Sequence, residues 1–318
     1  MLSDGDFHSG TELARHLEMS RSAVAKQLHG LSELGLELIA IHGKGYKLVK
    51  PLQLLSKQAI EQQLLEPASS VIDSLEIHDC IHSTNAHLQE RALLVNQQTI
   101  VCLAEYQQAG KGRRGRTWVS PFGSNIYLSA LKYFYNGPAH ISGLSLAVGV
   151  AVIRALNRIG VENVGLKWPN DIYWQGKKLG GILIEVGGEA EGPCHAVIGL
   201  GLNGYLPVKA AQSIEQPWVD LDSILPQSFH ELRNQLAAEL INQIMRIVND
   251  FEKTGLSPYI NEWRQYDCMK GLPADLFMGD QVFTGIVEGI DEQGMILLKD
   301  DGGNVRPFAS GEVSFRKT

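Results

Sequence analysis

Apolar positions recur with a helical period near the start of the chain and with strand-like periods farther on. Ser9-Gly10-Thr11-Glu12 has the form of a capping box, in which serine and glutamate each supply a partner for an otherwise unpaired helix N–H. A short helix is expected from there to about Glu18, followed by a tight turn at Met19-Ser20. A second helix then carries Val24, Leu28 and Leu31 and ends at Leu34, with Gly35 placed for a left-handed stop. Leu36, Leu38, Ile39 and Ile41, then Gly43-Lys44-Gly45 and Tyr46-Lys47-Leu48, predict a small hairpin. Two helices followed by such a hairpin describe a winged helix-turn-helix over residues 1–50.

Pro51 opens a linker into a short helix near residues 56–65, after which strand and helix patterns alternate. Residues 100–105, 125–131, 165–174, 181–186 and 196–203 read as strands. A helix over 140–159 carries Ile141, Leu144, Val148, Val152 and Ala155 on one face. Another starts at the capping-box pattern Ser228 to Glu231 and carries Leu232, Leu236, Leu240, Ile244 and Ile247. Beyond Gly271 the strands shorten and are punctuated by Gly279-Asp280, Gly285, Gly294 and Asp300-Asp301-Gly302-Gly303, the pattern of a small all-β barrel. The chain is therefore expected to be an α+β multidomain protein with domains at 1–50, 51–270 and 271–318.

Composition narrows the function classes. With 318 residues, 44% of them hydrophobic, the chain can bury more than one core, and a net charge of -7 confines any nucleic-acid contact to a local patch. Cys80, Cys102, Cys194 and Cys268 form no CxxC pair, so neither a zinc knuckle nor a disulfide framework is predicted. His78, His82 and His195 have no partner at metal-ligand spacing and are assigned no role. No cationic, apolar leader opens the sequence, and no apolar run approaches bilayer length, so a cytoplasmic protein without membrane contact is expected.

The most informative stretch is Gly110-Lys111-Gly112-Arg113-Arg114-Gly115-Arg116-Thr117-Trp118, just past an apolar strand. Its glycines let backbone N–H groups approach a ligand, and its cations suit phosphate or carboxylate oxygens. The glycines satisfy GxGxxG, but Thr117-Trp118-Val119-Ser120-Pro121 follows where a dinucleotide fold needs a helix, so that reading is rejected. A solvated basic loop without ligand is the bland alternative.

A second constellation, Lys167-Trp168-Pro169-Asn170-Asp171, is followed by Lys178-Leu179-Gly180-Gly181. If these face the basic loop, a lysine would neutralise charge building on an α-phosphate under carboxylate attack, and Asp171 would hold Mg2+. Taken singly, each is equally a solvated surface residue. His82-Ser83-Thr84-Asn85 fits a helix N-cap. Gly199-Leu200-Gly201-Leu202-Asn203 fits a turn, or a place where a flat ligand lies on the backbone.

Taken together, HSTN at 82–85, EYQQAGKGRRGRTW at 105–118, SPFGSNIYLS at 120–129, KWPNDIY at 167–173, KKLGGILIE at 177–185 and VIGLGLN at 197–203 resemble the bifunctional biotin-protein ligases that double as biotin operon repressors. The resemblance covers nearly the whole chain. It implies a central mixed sheet with helices like that of class II aminoacyl-tRNA synthetases and a C-terminal SH3-like β-barrel. It also implies an enzyme that joins biotin to AMP from ATP with Mg2+, then passes biotin to a lysine of the biotin carboxyl carrier protein of acetyl-CoA carboxylase. Ser83, Thr84, Asn85, Gln107, Lys111, Gly112, Arg113 and Lys178 would meet biotin. Gly110, Arg113, Arg114, Gly115, Arg116, Trp118, Lys167, Asn170, Asp171, Gly181, Gly199, Gly201, Asn203 and Trp218 would meet ATP and the adenylate. Lys178, Arg113 and Arg116 would carry catalysis. The family commonly has arginine where this chain has Lys111, and the two differ in bidentate contact. Residues 205–224 match the family's adenylate-binding loop, expected to order over the ligand and exclude water.

Between Ser20 and Lys50 five basic residues face two acidic ones. Arg21, Ser22, Lys26 and Gln27 lie where a helix-turn-helix reads bases, with Lys44 in the wing against the backbone. Operator DNA is the expected partner, bound by a homodimer in the adenylate-bound state, with biotinyl-AMP as corepressor. The family has a further helix ahead of the GDFHSG equivalent, most of which lies outside this sequence. The alternatives are a non-catalytic biotin-sensing repressor and a lipoate-protein ligase.

Overall fold

The computed structural model describes residues 1–95, 97–189, 191–309 and 312–315. At the N-terminus α1 (Gly10–His16) and α2 (Arg21–Gly30) are each capped by a serine, Ser9 and Ser20, whose hydroxyls accept from Glu12 N and Ala23 N. A 3₁₀ turn, Leu31–Leu34, ends at Gly35 with φ 83°, and β1 (Leu38–Ile41) pairs antiparallel with β2 (Gly45–Leu48) as the expected hairpin. Leu13, Ala14, Val24 and Leu28 form the small core beneath it. This unit touches the rest of the chain where Phe122 N donates to Leu34 O at 2.8 Å and Lys50 Nζ meets Asp222 at 2.7 Å.

The linker leads through α3 (Lys57–Glu61) and α4 (Ala68–Val71) to a seven-stranded sheet. In chain order its strands are β3 (Ser74–His78), β4 (Ile100–Ala104), β5 (Ile126–Phe134), β6 (Val164–Lys167), β7 (Asp171–Trp174), β8 (Lys177–Gly188) and β9 (Cys194–Leu202). Their spatial order is β3-β4-β5-β9-β8-β7-β6, parallel only between β3 and β4. Between β3 and β4 runs α5 (Thr84–Ala92), packed on one face over Ile100, Cys102, Leu131 and Val197. The other face carries α6 (Leu144–Arg158) and, after a short α7 (Val208–Ala211), the long α8 (Phe229–Thr254) and α9 (Ser257–Tyr266).

The last sheet comprises β10 (Pro273–Met278), β11 (Gln281–Ile290), β12 (Ile296–Lys299), β13 (Val305–Phe308) and β14 (Glu312–Phe315). It is antiparallel throughout, in the order β13-β12-β11-β10-β14. Its apolar side joins the central core, and Trp168 Nε1 donates to Gly294 O at 2.9 Å, fastening this sheet to the turn between β6 and β7.

Several expectations are corrected. Residues 165–174 form a hairpin rather than one strand, and β3, whose Ser74-Leu75-Glu76-Ile77-His78 alternates polar and apolar residues, adds a strand that was not among those expected. The helix expected over 140–159 breaks at Gly143, φ 79°, into a 3₁₀ turn and α6. Ser228 makes no side-chain cap for α8; Asp222 Oδ1 accepts from Phe229 N at 3.1 Å instead. Pro138–Arg158, 21 residues, is after all long and apolar enough to cross a bilayer, but 67% of its apolar window is buried in the core.

His230 carries a pH prediction. It is 2% exposed between the Tyr205 and Phe229 rings, and burial first, then the Arg233 charge, push its pKa down to about 4. The unfolded chain protonates near 6.5, so this contribution to stability is complete above that pH and is lost as pH falls toward 4. Urea unfolding of wild type and His230→Gln at pH 7 and pH 4 should show the difference between them shifting by about 3 kcal/mol against the wild type at the acid end.

Candidate functional site

The basic loop, the lysine-bearing strands and the start of α5 converge on one cleft floored by β5, β8 and β9. At its polar end Ser83 caps α5, its Oγ accepting from Ala86 N at 3.4 Å. Thr84 donates from N and Oγ1 to Gln107 Oε1 at 2.9 and 3.2 Å, and Gln107 Nε2 donates to Ser120 Oγ at 3.0 Å. Asn85 Nδ2 donates to Glu185 Oε2 at 2.8 Å, and Ser129 Oγ lies 2.6 Å from Asn85 Oδ1 and 2.8 Å from Thr84 Oγ1. All these groups except Glu185 are buried, so the network holds their orientations in a low-dielectric pocket.

The glycines of the basic loop have specific work. Gly112 N donates to Arg116 O at 2.7 Å and Trp118 N to Gly110 O at 2.8 Å, so the loop folds back on itself. A Cβ at Gly110 would stand 2.6 Å from both Trp118 O and Ser120 Oγ, which excludes any side chain there. Arg113 Nη1 donates to Asn170 Oδ1 at 2.9 Å, and Asn170 Nδ2 donates on to Ile182 O at 2.6 Å, tying loop to sheet. Lys111, Gly112, Arg114 and Arg116 also line the cleft.

Lys167 closes β6, with its Nζ 3.3 Å from Tyr173 OH, while Asp171 opens β7. Lys178, near the start of β8, places Nζ 2.8 Å from Asp171 Oδ1 and 5.7 Å from the centre of the Trp118 ring. Asp171 is the one carboxylate among the described lining residues. Gly181, Gly199 and Gly201 line the cleft and also leave room for neighbouring side chains. The Trp118 indole lies against Gly201 and Gly181, and the Asn85 amide against Gly199. Trp118 Nε1 is buried without a hydrogen-bond partner among the described residues, so it is a donor available to a ligand.

Not every expected residue faces the cleft. Gly110, Gly115, Asn203 and Trp218 are absent from its lining. Asn203 Nδ2 donates to Val219 O at 3.0 Å, and Trp218 bridges Lys178 through the backbone, with Lys178 N donating to Pro217 O at 2.9 Å. These residues hold the segment before α8 against β8. Sequence reasoning missed Ser129, Glu185, Gln216 and Val313. Ser129 left a signal, a lone serine in the apolar run of β5; Val313 left none, because it arrives from the distant C-terminal sheet. His78 is also corrected: it stands 3.5 Å from Glu76, beside His87.

Away from the cleft, Arg21, Ser22, Lys26 and Gln27 lie exposed along α2, and Lys44 is exposed in the turn of the hairpin.

Residues 1–47 match an HTH domain, 77–203 the biotin/lipoate A/B protein ligase family, and 276–316 the biotin protein ligase C terminal domain. The chain is 40% identical over 316 residues to the bifunctional ligase/repressor BirA of Salmonella typhimurium, covering 99% of this chain and 95% of that protein. It is 39% identical over the same span and shares to the BirA of Escherichia coli. Among solved structures, the biotin protein ligase of Aquifex aeolicus in complex with biotin and ATP superposes with a TM-score of 0.63. That match is 25% identical and covers 78% of this chain and all of that one. Similarity at this level, end to end and through all three matched regions, makes the chain a member of the bifunctional ligase/repressor BirA family.

Proposed function

We propose that this chain is an ATP-dependent biotin-protein ligase that also acts as a transcriptional repressor through its helix-turn-helix. The observation that carries the reading is a single cleft holding a hydrogen-bonded polar pocket at one end and the cationic loop with Lys178 at the other. Biotin's ureido ring has two N–H donors and a carbonyl, a match for Ser83, Thr84, Asn85 and Gln107. Its carboxylate then points toward Lys178, and Lys111, Arg113, Arg114 and Arg116 surround the phosphates of ATP and of the adenylate.

Carboxylate attack on the α-phosphorus forms the biotinyl-AMP anhydride and releases pyrophosphate. Asp171, one of whose oxygens is held by Lys178, is the residue to hold the Mg2+ that accompanies ATP, as a hard carboxylate ligand. Transfer requires a neutral lysine amine from a biotin carboxyl carrier protein at the anhydride carbonyl, with AMP leaving, and positioning supplies most of the acceleration. Residues 205–224 close over the adenylate and limit its hydrolysis.

Domains at 1–50, 51–270 and 271–318, a class II synthetase-like centre and an SH3-like C-terminal barrel suit the order of the three matched regions. Operator DNA is bound through Arg21, Ser22, Lys26, Gln27 and Lys44, by a twofold dimer reading paired half-sites in the cytoplasm.

Incubation of the purified chain with biotin, MgATP and a carrier domain, followed by intact-mass analysis, should show the carrier gaining one biotin and nothing when lipoate replaces biotin. No gain despite tight biotin binding would favour a sensor without catalysis; a gain from lipoate would favour the other ligase. Gly201→Ala is a second check. Its methyl would drive into the Trp118 indole, and a misplaced wall of this kind lowers kcat/KM for ATP on the order of 100-fold in the adenylation assay.

A further inference from the structure

The edge strand β3 and its neighbour β4 place Glu76 and Cys102 opposite each other, on the face that α5 covers. His78 follows Glu76 by two residues and so shares its face, and α5 delivers His87 from above. Both imidazoles address one carboxylate oxygen: His87 Nε2 is 2.7 Å and His78 Nε2 3.5 Å from Glu76 Oε2, with the rings edge to face at 4.9 Å. One donor atom from each of Glu76, His78, His87 and Cys102 lies within 4.8 Å of the others.

The surroundings complete a site rather than a simple ion pair. Arg91 Nη2 holds the other carboxylate oxygen at 3.3 Å, which turns Oε2 toward the histidines, as an outer-shell partner does for a metal ligand. Cys102 is fully buried, whereas the Glu76, His87 and His78 side chains are 19%, 25% and 34% exposed. The thiol is thus the floor of a basin whose rim opens to solvent, giving an ion a way in. A plain His87–Glu76 pair would satisfy those two groups only; His78 Nε2 stays buried without a hydrogen bond among the described residues.

We propose that Glu76, His78, His87 and Cys102 form a Zn2+ site. One sulfur, two imidazole nitrogens and one carboxylate oxygen are a tetrahedral zinc donor set, and a thiolate is a poor ligand for Mg2+ or Ca2+. Metal–ligand bonds of about 2.0–2.3 Å require donors roughly 3.3–3.8 Å apart, so the farthest pair closes by about 1 Å through side-chain rotation. On binding, the Cys102 thiol gives its proton to solvent and the sulfur takes the metal. Four protein ligands leave no open position, so the ion is structural. His87 sits one helical turn beyond Thr84, and the ion therefore pins the cleft-forming end of α5 to β3 and β4.

The test uses the full chain, untagged and stripped with a chelator, titrated with Co2+ and then Zn2+. One Co2+ per chain should bind, with a thiolate-to-cobalt charge-transfer band that Zn2+ removes. Cys102→Ser should lose the band. His78→Gln and His87→Gln, on the solvent rim and checked for fold by circular dichroism, should each weaken Co2+ binding by at least the roughly 10–100-fold that loss of an outer-shell partner costs. No stoichiometric Co2+, a band that survives Cys102→Ser, or unchanged affinity in the two histidine variants would each overturn the proposal.

Discussion

Lys178→Ala should lower the rate of biotinyl-adenylate formation by about 10²–10³-fold, the size expected when one preorganised electrostatic contact to the transition state is removed. The lysine is poorly free to move. Its backbone is clamped on both sides, N donating to Pro217 O and O accepting from Val219 N, while its Nζ is held by Asp171 beside the Trp118 ring. An ammonium fixed in advance costs no reorganisation as negative charge gathers on the α-phosphate and leaving pyrophosphate. The loss should therefore appear in kcat for adenylation, read by pyrophosphate exchange, with a smaller change in KM for biotin. Biotin transfer from added biotinyl-AMP, which no longer needs that charge, should be much less affected. Lys178→Arg keeps the charge but replaces a point donor with a planar fork and should recover activity only in part. A loss of less than threefold in the alanine variant would remove Lys178 from the mechanism.

The parts of this site that could be read from the sequence are those whose chemistry is local. The basic loop has its glycines and cations within seven residues, and Lys167, Asp171 and Lys178 occupy the ends of adjoining strands, so short-range spacing already brings them together. The serine cap of α1 was equally legible, because a cap is a bond between residues three apart, whereas Ser20, read as part of a turn, proves to cap α2 in the same way. Contacts that depend on sheet order were not. Ser129 meets Thr84 only because β5 runs beneath α5, and Glu185 meets Asn85 only because β8 lies two strands farther across. His78 looked solitary since its neighbours, His87 and Cys102, come from a helix and a parallel strand. At Ser228 the local rule was outbid: Asp222, brought in by the preceding turn, caps α8 with a stronger, charged acceptor.

Arg233→Met should destabilise the whole protein by about 3–5 kcal/mol, the range for removing one partner of a buried ion pair. Both charged groups are essentially inaccessible: Arg233 is 0% and Glu105 1% exposed. Arg233 Nη1 donates to Glu105 Oε2 and to Gln53 O, while Nε and Nη2 both donate to Asn125 O. Glu105 Oε1 in turn accepts from Leu55 N. One guanidinium thus joins the linker after the winged unit, the end of β4, the start of β5 and α8. Methionine fills much of the volume but leaves a buried carboxylate without its counter-charge and two carbonyls without donors, and that desolvation cost dominates the loss. Pairing the change with Glu105→Gln, which removes the stranded charge, should restore a good part of the stability, the excess over additivity measuring the coupling. Because Glu105 immediately precedes the segment that leads into the basic loop, the single variant should also show weaker biotin binding at temperatures well below its lowered Tm, and the double variant less so. Chemical denaturation of the four members of this cycle is the measurement. Equal stability of wild type and Arg233→Met would mean that the pair contributes no more than an apolar substitute, and the linker would then need another anchor.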